Sequence, residues 1–265
     1  MLLSNLEYIP LRLIRKFLLT EKLLLKIGQF LPYYQTNSNQ INPTIILEQY
    51  SHYLAKKQIK PEALSILEIG VGATNSTGYL MALQNWGNIF LFEPYISLSI
   101  KEDDALLARL CPKDVIKTTI VQKVKRLNNL QTIPDNSIDL ILSNSVLEHV
   151  DNLENLFIEL KRILKPTGKM LHLVDYRDHF FKYPYHFLQF SKKTWHSYLN
   201  PGDLPVWRLR EQLEIFQQIG FVVEMMEQHI DTAHFEKIKP YIANDYDLND
   251  SLLGVTFAVL WIGFT

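Results

Sequence analysis

Cysteine is almost missing from this chain: Cys111 is the single one in 265 residues. That excludes an intrachain disulfide and a cysteine-rich zinc site, and it fits a reducing cytoplasm. Charge of one sign is missing too. Lys and Arg number 27 against 28 Asp and Glu, for a formal net charge of −1. Without a basic footprint, DNA or RNA is not expected as a substrate. No G-K-S or G-K-T triplet is present to cradle a mononucleotide phosphate. The uncharged stretch Ser251–Thr265 falls short of the roughly 20 apolar residues of a membrane span. No signal peptide with a small-residue cleavage site is expected, and no internal repeat appears. Hydrophobic residues at 47% and charged ones at 21% suit a globular protein.

What is present is a strand–turn–helix–strand unit. An apolar run, Leu64 to Ile69, ends in Gly70-Val71-Gly72, and a helix-compatible segment follows from Asn75 to Trp86. A second apolar run, Ile89 to Phe92, ends in Glu93, which lies 21 residues after Gly72. A parallel sheet holds a nucleoside in this way: glycines let the backbone approach the ligand, and an acid at the tip of the second strand accepts the ribose hydroxyls. The ligand is narrowed by two further residues. A dinucleotide loop would carry a third glycine where this chain has Asn75. Glu68, two residues before Gly70, would oppose a pyrophosphate at the helix terminus. An acid there favours a ligand with an ammonium and a sulfonium, S-adenosyl-L-methionine. A dinucleotide, or no cofactor, are the other readings.

A second constellation lies downstream. Pro134 to Ser137 has turn composition, Ile138 to Leu142 reads as a strand, and Asn144 to Val150 as a polar loop entering a helix. Asp151-x-x-Glu154 has the form of a capping box. Leu153, Leu156, Phe157, Leu160 and Leu164 recur at helical spacing before Pro166 and Gly168, and Met170 to Val174 reads as the next strand.

Taken together, Leu67-Glu68-Ile69-Gly70-Val71-Gly72, Phe92-Glu93-Pro94, the Asp135-to-Leu142 strand entry, Val146-Leu147-Glu148-His149-Val150 and Leu164-Lys165-Pro166-Thr167-Gly168-Lys169 resemble the class I S-adenosylmethionine-dependent methyltransferases. The small-molecule type with a V-L-E-H-V motif is the subset most similar. The resemblance runs in register from Leu64 to Val174. It implies that Glu68, Gly70 and Gly72 frame the methionine end of the cofactor and that Glu93 holds the ribose. Asn144 and Ser145 would border the methyl-transfer site, with Glu148 and His149 just behind. Two positions depart from the pattern. Thr74 stands where a third glycine is common, and no acid occurs in Val124–Asn129, where one often faces the adenine; Asn128 would take that place.

The remaining expectations are coarser. Strands at 64–69, 89–92, 119–124, 138–142, 169–174, 221–228 and 253–263 alternate with helices. The fold class expected is α/β: a three-layer sandwich with a seven-stranded, mostly parallel sheet and an antiparallel last strand. Residues 1–42 would form an amphipathic amino-terminal lid or docking segment and linker, and 43–265 the methyltransferase domain, with a substrate-side insertion at 176–206. Residues 1–35 carry net charge +3, and Leu6, Ile9, Leu13, Phe17, Leu24 and Ile27 form an apolar stripe. Packing over the active site is the plainer reading of that stripe, and peripheral membrane contact the sharper one. Aromatic residues concentrate after residue 175, which suits an aromatic, sugar or lipid-like acceptor. Arg177, Lys182, Arg208 and Arg210 are candidates to pair with an acidic acceptor group, and solvated side chains are the default reading. Methyl transfer to oxygen of a small molecule, by direct displacement, is the expected reaction, with His179 or His149 as base. His172 and His186 read as packed histidines, and no metal is expected. The alternatives are a non-catalytic binding or scaffold domain and a protein methyltransferase. The expected location is cytoplasmic, with a membrane-peripheral variant.

Overall fold

A computed structural model describes residues 2–19, 42–111, 117–178, 180, 182–201 and 205–264. In chain order the elements are α1 (Asn5–Phe17), α2 (Pro43–Lys56), β1 (Ser65–Ile69), α3 (Ser76–Leu83), β2 (Asn88–Phe92), α4 (Ile100–Leu110), α5 (Lys117–Lys123) and β3 (Val124–Leu127). They continue as β4 (Ile138–Asn144), α6 (Leu153–Ile163), β5 (Leu164–Asp175), α7 (Leu209–Ile219), β6 (Val222–Ile230), α8 (Thr232–Ile238) and β7 (Val255–Gly263). The seven strands form one sheet in the order β3-β2-β1-β4-β5-β7-β6. β1 to β5 pair in parallel, and β7 runs antiparallel to both β5 and β6. This is the expected α/β architecture.

Why the sheet is covered on both faces can be read along its strands. Successive side chains point to opposite faces. Leu67, Ile141, Met170 and Leu260 pack in one core with Phe157 and Leu160 of α6 and Phe216 of α7. Ile66, Leu140, Leu171 and Val259 pack in the other with Leu47 and Tyr50 of α2, Met81 of α3 and Leu107 of α4. A parallel sheet buried twice needs such unbroken apolar strands.

Several boundaries differ from expectation: β5 begins at Leu164 and not at 169, β6 runs on to Ile230, β7 begins at Val255, and two further shifts have a clear local cause. Residues 119–124 were expected as a strand, and Thr119, Ile120 and Val121 are indeed β-branched. They lie mostly in helix α5, where Ile120 alone is buried, and the strand begins at Val124, paired with Ile89. One-sided burial against the second core outweighs the intrinsic preference of a short β-branched run. Helix α6 starts at Leu153 and not at Asp151. Its cap is Asn152, whose side chain accepts from the Asn155 amide at 2.9 Å.

The insertion after β5 builds a third core with α1. Tyr8, Phe180, Tyr185, Phe187, Trp195 and Leu199 are among its buried members, with Ile238, Tyr246 and Leu253 from the segment between β6 and β7. Arg12 Nη2 donates to Asp178 Oδ1 at 2.6 Å, and the Tyr8 hydroxyl donates to Asp178 Oδ2. The Arg12 guanidinium lies 4.6 Å from the Trp195 ring centroid. Burial first, then the Asp178 charge, push the Tyr8 phenol well above its usual range, so it remains a donor. Helix α1 therefore packs with Asn5, Tyr8 and Arg12 inward. Of the expected apolar stripe, Ile9 is half-buried against this core, Leu6, Leu13 and Phe17 are exposed, and Leu24 and Ile27 lie outside the described residues. The reason is electrostatic. The insertion offers a buried carboxylate, which a Leu or Phe face could not neutralise.

The Arg12–Asp178 pair generates a stability prediction. Asp178→Ala leaves a buried guanidinium without its counter-charge and should cost about 3–5 kcal/mol in urea unfolding. The double variant Arg12→Met, Asp178→Leu should recover most of that loss. A wild-type unfolding midpoint for Asp178→Ala would contradict the assignment.

Candidate functional site

The site grows from the register of β1. Ile69 pairs with Phe92 on one side and Ser143 on the other. The next residues, Gly70, Glu93 and Asn144, therefore stand side by side at the carboxyl ends of the strands, where ligands of open α/β sheets bind. Gly70 has φ +76° and Gly72 φ +67°. A Cβ on Gly70 would lie 2.2 Å from Val146 Cγ2, whereas one on Gly72 would meet nothing within 4 Å. The first glycine is thus required by its backbone and by its neighbour, and the second keeps a space open.

Glu68 sits beneath this turn and is buried. The Tyr50 hydroxyl of α2 donates to its Oε1 at 3.2 Å. Its Oε2 has no hydrogen-bond partner among the described residues. Burial pushes the carboxyl up to about 7, and the Thr77 and Tyr50 hydroxyls offset part of that. This buried carboxyl thus keeps one oxygen for a further donor.

Glu93 anchors the turn. Its Oε2 accepts from the Gly72 amide at 2.9 Å, and its Oε1 from the Tyr95 and Ile96 amides at 3.1 and 3.2 Å. A carboxylate has about four acceptor sites, so Oε2 keeps room for a further donor. Arg126 of β3 ties the other side, donating through Nη2 to the Ile96 carbonyl at 3.0 Å and to the Gly72 carbonyl, and through Nη1 to Asn75 Oδ1 at 3.2 Å. Asp103 of α4 is buried and accepts from the Asn75 amide at 2.7 Å and the Tyr79 hydroxyl at 2.6 Å. Burial, and next the Asp103 hydrogen bond, push the Tyr79 phenol up to about 12. Thr74 is half-buried in the turn, and Asn128 is exposed just past β3.

At the end of β4, Asn144 Nδ2 donates to Gln49 Oε1 of α2 at 2.9 Å, and the Ser145 hydroxyl donates to Asn144 Oδ1 at 3.1 Å. Ser145 has φ +53°, and its amide donates to the Leu173 carbonyl at 2.9 Å. The turn Leu147–His149 separates two neighbours: Glu148 is buried and His149 exposed. Neither carboxyl oxygen of Glu148 has a hydrogen-bond partner among the described residues. Burial raises its pKa well above the carboxylate range, and the charge of Asp175 adds to the rise. Glu148 thus faces inward, and His149 is the solvent-facing base candidate.

The other candidates fall elsewhere. His179 lies outside the described residues. His172 is buried in β5, with Nδ1 2.7 Å from Ser143 Oγ, and burial lowers it to about 3, so it is a neutral packed histidine. His186 is buried against Ser4, and burial lowers it to about 4. The four cationic candidates have protein partners. Arg177 pairs with Asp175, Lys182 with Glu7, and Arg210 with Asp250. Arg208 is buried and donates to the carbonyls of Tyr176 at 2.7 Å and Val255 at 2.6 Å. Asp178 points to Arg12 and Asp175 to Arg177, and no cluster of three His, Cys, Asp or Glu suited to a metal occurs among the described residues. A cleft of about 220 Å³ between Ser4, Tyr185, His186 and Lys237 shares no residue with the β1 rim.

Sequence reasoning missed Gln49, Tyr50, Asp103 and Arg126. Tyr50 had a signal, since Leu47, Tyr50 and Leu54 share one face of α2. Asp103 and Arg126 had none, because each reads alone as a solvated charge.

Comparison with known proteins gives a family-model match and likenesses of fold. Residues 67–172 match the family model of a methyltransferase domain, a span that includes the glycine turn, Glu93 and the Asn144–His149 loop. Phosphoethanolamine N-methyltransferase 2 of Haemonchus contortus, solved with phosphomonomethylethanolamine and S-adenosylhomocysteine, is similar at 18% identity and TM-score 0.51. That likeness covers 82% of this chain and 52% of the nematode enzyme, so the chain spans about half the length of that relative. A candidate sarcosine dimethylglycine methyltransferase of Galdieria sulphuraria is similar at 15% identity and TM-score 0.55, covering 83% of this chain and 85% of its own. At these identities the two structures show a shared fold. No curated protein matches the chain significantly.

The burial of Glu68 sets a pH dependence. Its folded value, about 7, lies above the ordinary 4.5. The native state then binds more protons than the unfolded chain between those values, and stability falls as pH rises through 7. Wild-type protein should lose on the order of 3 kcal/mol through this residue between about pH 4.5 and 8. In Glu68→Gln this component should vanish, so the variant gains relative to wild type as pH rises. A difference between the two that does not change with pH, measured by urea unfolding, would refute the buried-acid assignment.

Proposed function

We propose that this S-adenosyl-L-methionine-dependent methyltransferase methylates a small organic acceptor at oxygen, by direct displacement. The observation that carries the reading is the unpartnered Glu68 Oε2 beneath a glycine turn that leaves open space at Gly72, beside Glu93 on the same rim. These residues fit the cofactor's amino-acid end, because a buried carboxylate gains most from a charged donor. Glu68 takes the ammonium, with Gly70 and Gly72 allowing close backbone approach. Glu93 takes a ribose hydroxyl at the acceptor site left on Oε2. Thr74 adds a hydroxyl at the turn, and Asn128 serves the adenine edge in place of the acid that β3 lacks. When bound, the cofactor supplies a methyl group on a positively charged sulfur.

The chain's share of the chemistry is orientation. Asn144 and Ser145, held by Gln49 and by the β4–β5 pairing, fix the acceptor side of the rim. Holding nucleophile and methyl in line removes the entropic part of the barrier. An oxygen acceptor must also lose a proton, and His149 is the proposed receiver. His179 is the second base candidate. The small-molecule reading draws support from the nematode enzyme, whose structure holds phosphomonomethylethanolamine.

The role of His149 separates from a structural one by kinetics. His149→Gln should lower turnover by about 10²–10⁴ while the affinity for S-adenosylmethionine, read by calorimetry, barely moves. Near-normal turnover across pH would assign the proton to another group or to an acceptor already ionised. An equal loss of cofactor affinity would mark the residue as structural.

A further inference from the structure

The turn at Gly72 is shaped by hydrogen bonds, because open space lies beside it. A Cβ there would meet no atom within 4 Å. A glycine at φ +67° has wide conformational freedom unless its peptide groups are held. The Gly72 amide is held by Glu93 at 2.9 Å, and the Ala73 carbonyl accepts from the Ser99 amide at 2.8 Å. The Gly72 carbonyl accepts from Arg126 Nη2 at 2.5 Å. The same guanidinium donates to the Ile96 carbonyl at 3.0 Å and, through Nη1, to Asn75 Oδ1 at 3.2 Å. One side chain on β3 thereby joins the glycine turn, the loop after Glu93 and the start of α3.

Asn75 shows what this linkage displaces. It is the N-cap of α3, where a side-chain oxygen ordinarily accepts from a helix amide. Here it makes no such bond. Its Oδ1 faces Arg126 instead, and its Nδ2 donates to Asp103 Oδ2 at 3.1 Å. Asp103 is buried and also accepts from the Asn75 amide at 2.7 Å and the Tyr79 hydroxyl at 2.6 Å. A local cap is exchanged for a long-range link, Asp103–Asn75–Arg126, which runs from α4 through the turn to β3. A glycine at position 75 would have no side chain to carry it. The planar fork of arginine suits acceptors on three segments, which a compact ammonium does not span.

We infer that Arg126 is a positioning residue for the cofactor: it holds the Gly72 turn in its binding shape before the ligand arrives, so that binding need not order it. The inference rests on the cofactor site proposed above. It is tested by calorimetry of the full chain with S-adenosylhomocysteine, together with amide hydrogen exchange of the ligand-free protein. Arg126→Met should weaken binding by about tenfold. It should also speed exchange across residues 70–75 while β4 and β5 keep wild-type protection. Saturating S-adenosylhomocysteine should remove most of that exchange difference. Arg126→Lys should stay nearer to the Met variant than to wild type, since it keeps the charge and loses the fork. Asn75→Ala unlinks Asp103 from Arg126 and leaves both in place. It should show the same pattern at smaller size, and it decides the matter if Arg126→Met does not fold. Affinity unchanged in these variants, with wild type binding, overturns the inference and leaves the cofactor site standing. Weaker binding with wild-type exchange in the free turn also overturns it, since Arg126 would then touch the ligand and not shape the turn. A folded wild-type chain that binds no S-adenosylhomocysteine at millimolar concentration removes the cofactor site and the inference together.

Discussion

The pairing of β1 on both sides is the constraint on which the site depends. Because Ile69 lies between Phe92 and Ser143, the residues that leave the three strands must meet on one rim. Glycine at 70 lets β1 turn there without striking Val146, and the amide of Gly72 then reaches Glu93. Everything proposed for the cofactor follows from this crossing of register and turn. A shift of one residue in either pairing would reverse the faces of the strand and bury the wrong side chains.

Around that rim, acids are placed in two kinds of environment. Glu93 is bonded by three backbone amides and forms part of the scaffold. Glu68 and Glu148 are buried with oxygens unused, a cost that a folded chain carries where a ligand or a proton will repay it. The contrast supports the proposed roles: Glu93 shapes the loop while retaining one acceptor site, and Glu68 would take the cation. Helix α2 holds two of the rim residues, Tyr50 donating to Glu68 and Gln49 accepting from Asn144, so the helix preceding β1 belongs to the site as much as the loops do.

Much of this was legible in the sequence. Apolar runs ending in Gly70-Val71-Gly72 and Glu93 report strand ends directly, because a doubly buried parallel strand tolerates few polar residues. The antiparallel pairing of β6 and β7 was legible from two strands with no strong helical pattern between them. The β3 strand was misplaced because Thr119, Ile120 and Val121 have strand preference but only one residue to bury. The opposite exposures of Glu148 and His149 depend on a turn that periodicity does not describe. The orientation of α1 was hidden for a different reason. Its partner, Asp178, lies 166 residues away, so no local pattern announces it.

The central claim is transfer of a methyl group from S-adenosylmethionine to a small acceptor at the β1 rim. The most direct test incubates the full chain with methyl-tritiated cofactor and an extract containing metabolites, protein and nucleic acid, then fractionates the label. The account predicts label in the small-molecule fraction, and its loss in Glu93→Ala, which removes the loop anchor and charge-assisted hydrogen bonds of about 1.5–3 kcal/mol each. Label confined to protein or nucleic acid, or transfer undiminished in Glu93→Ala, would contradict it.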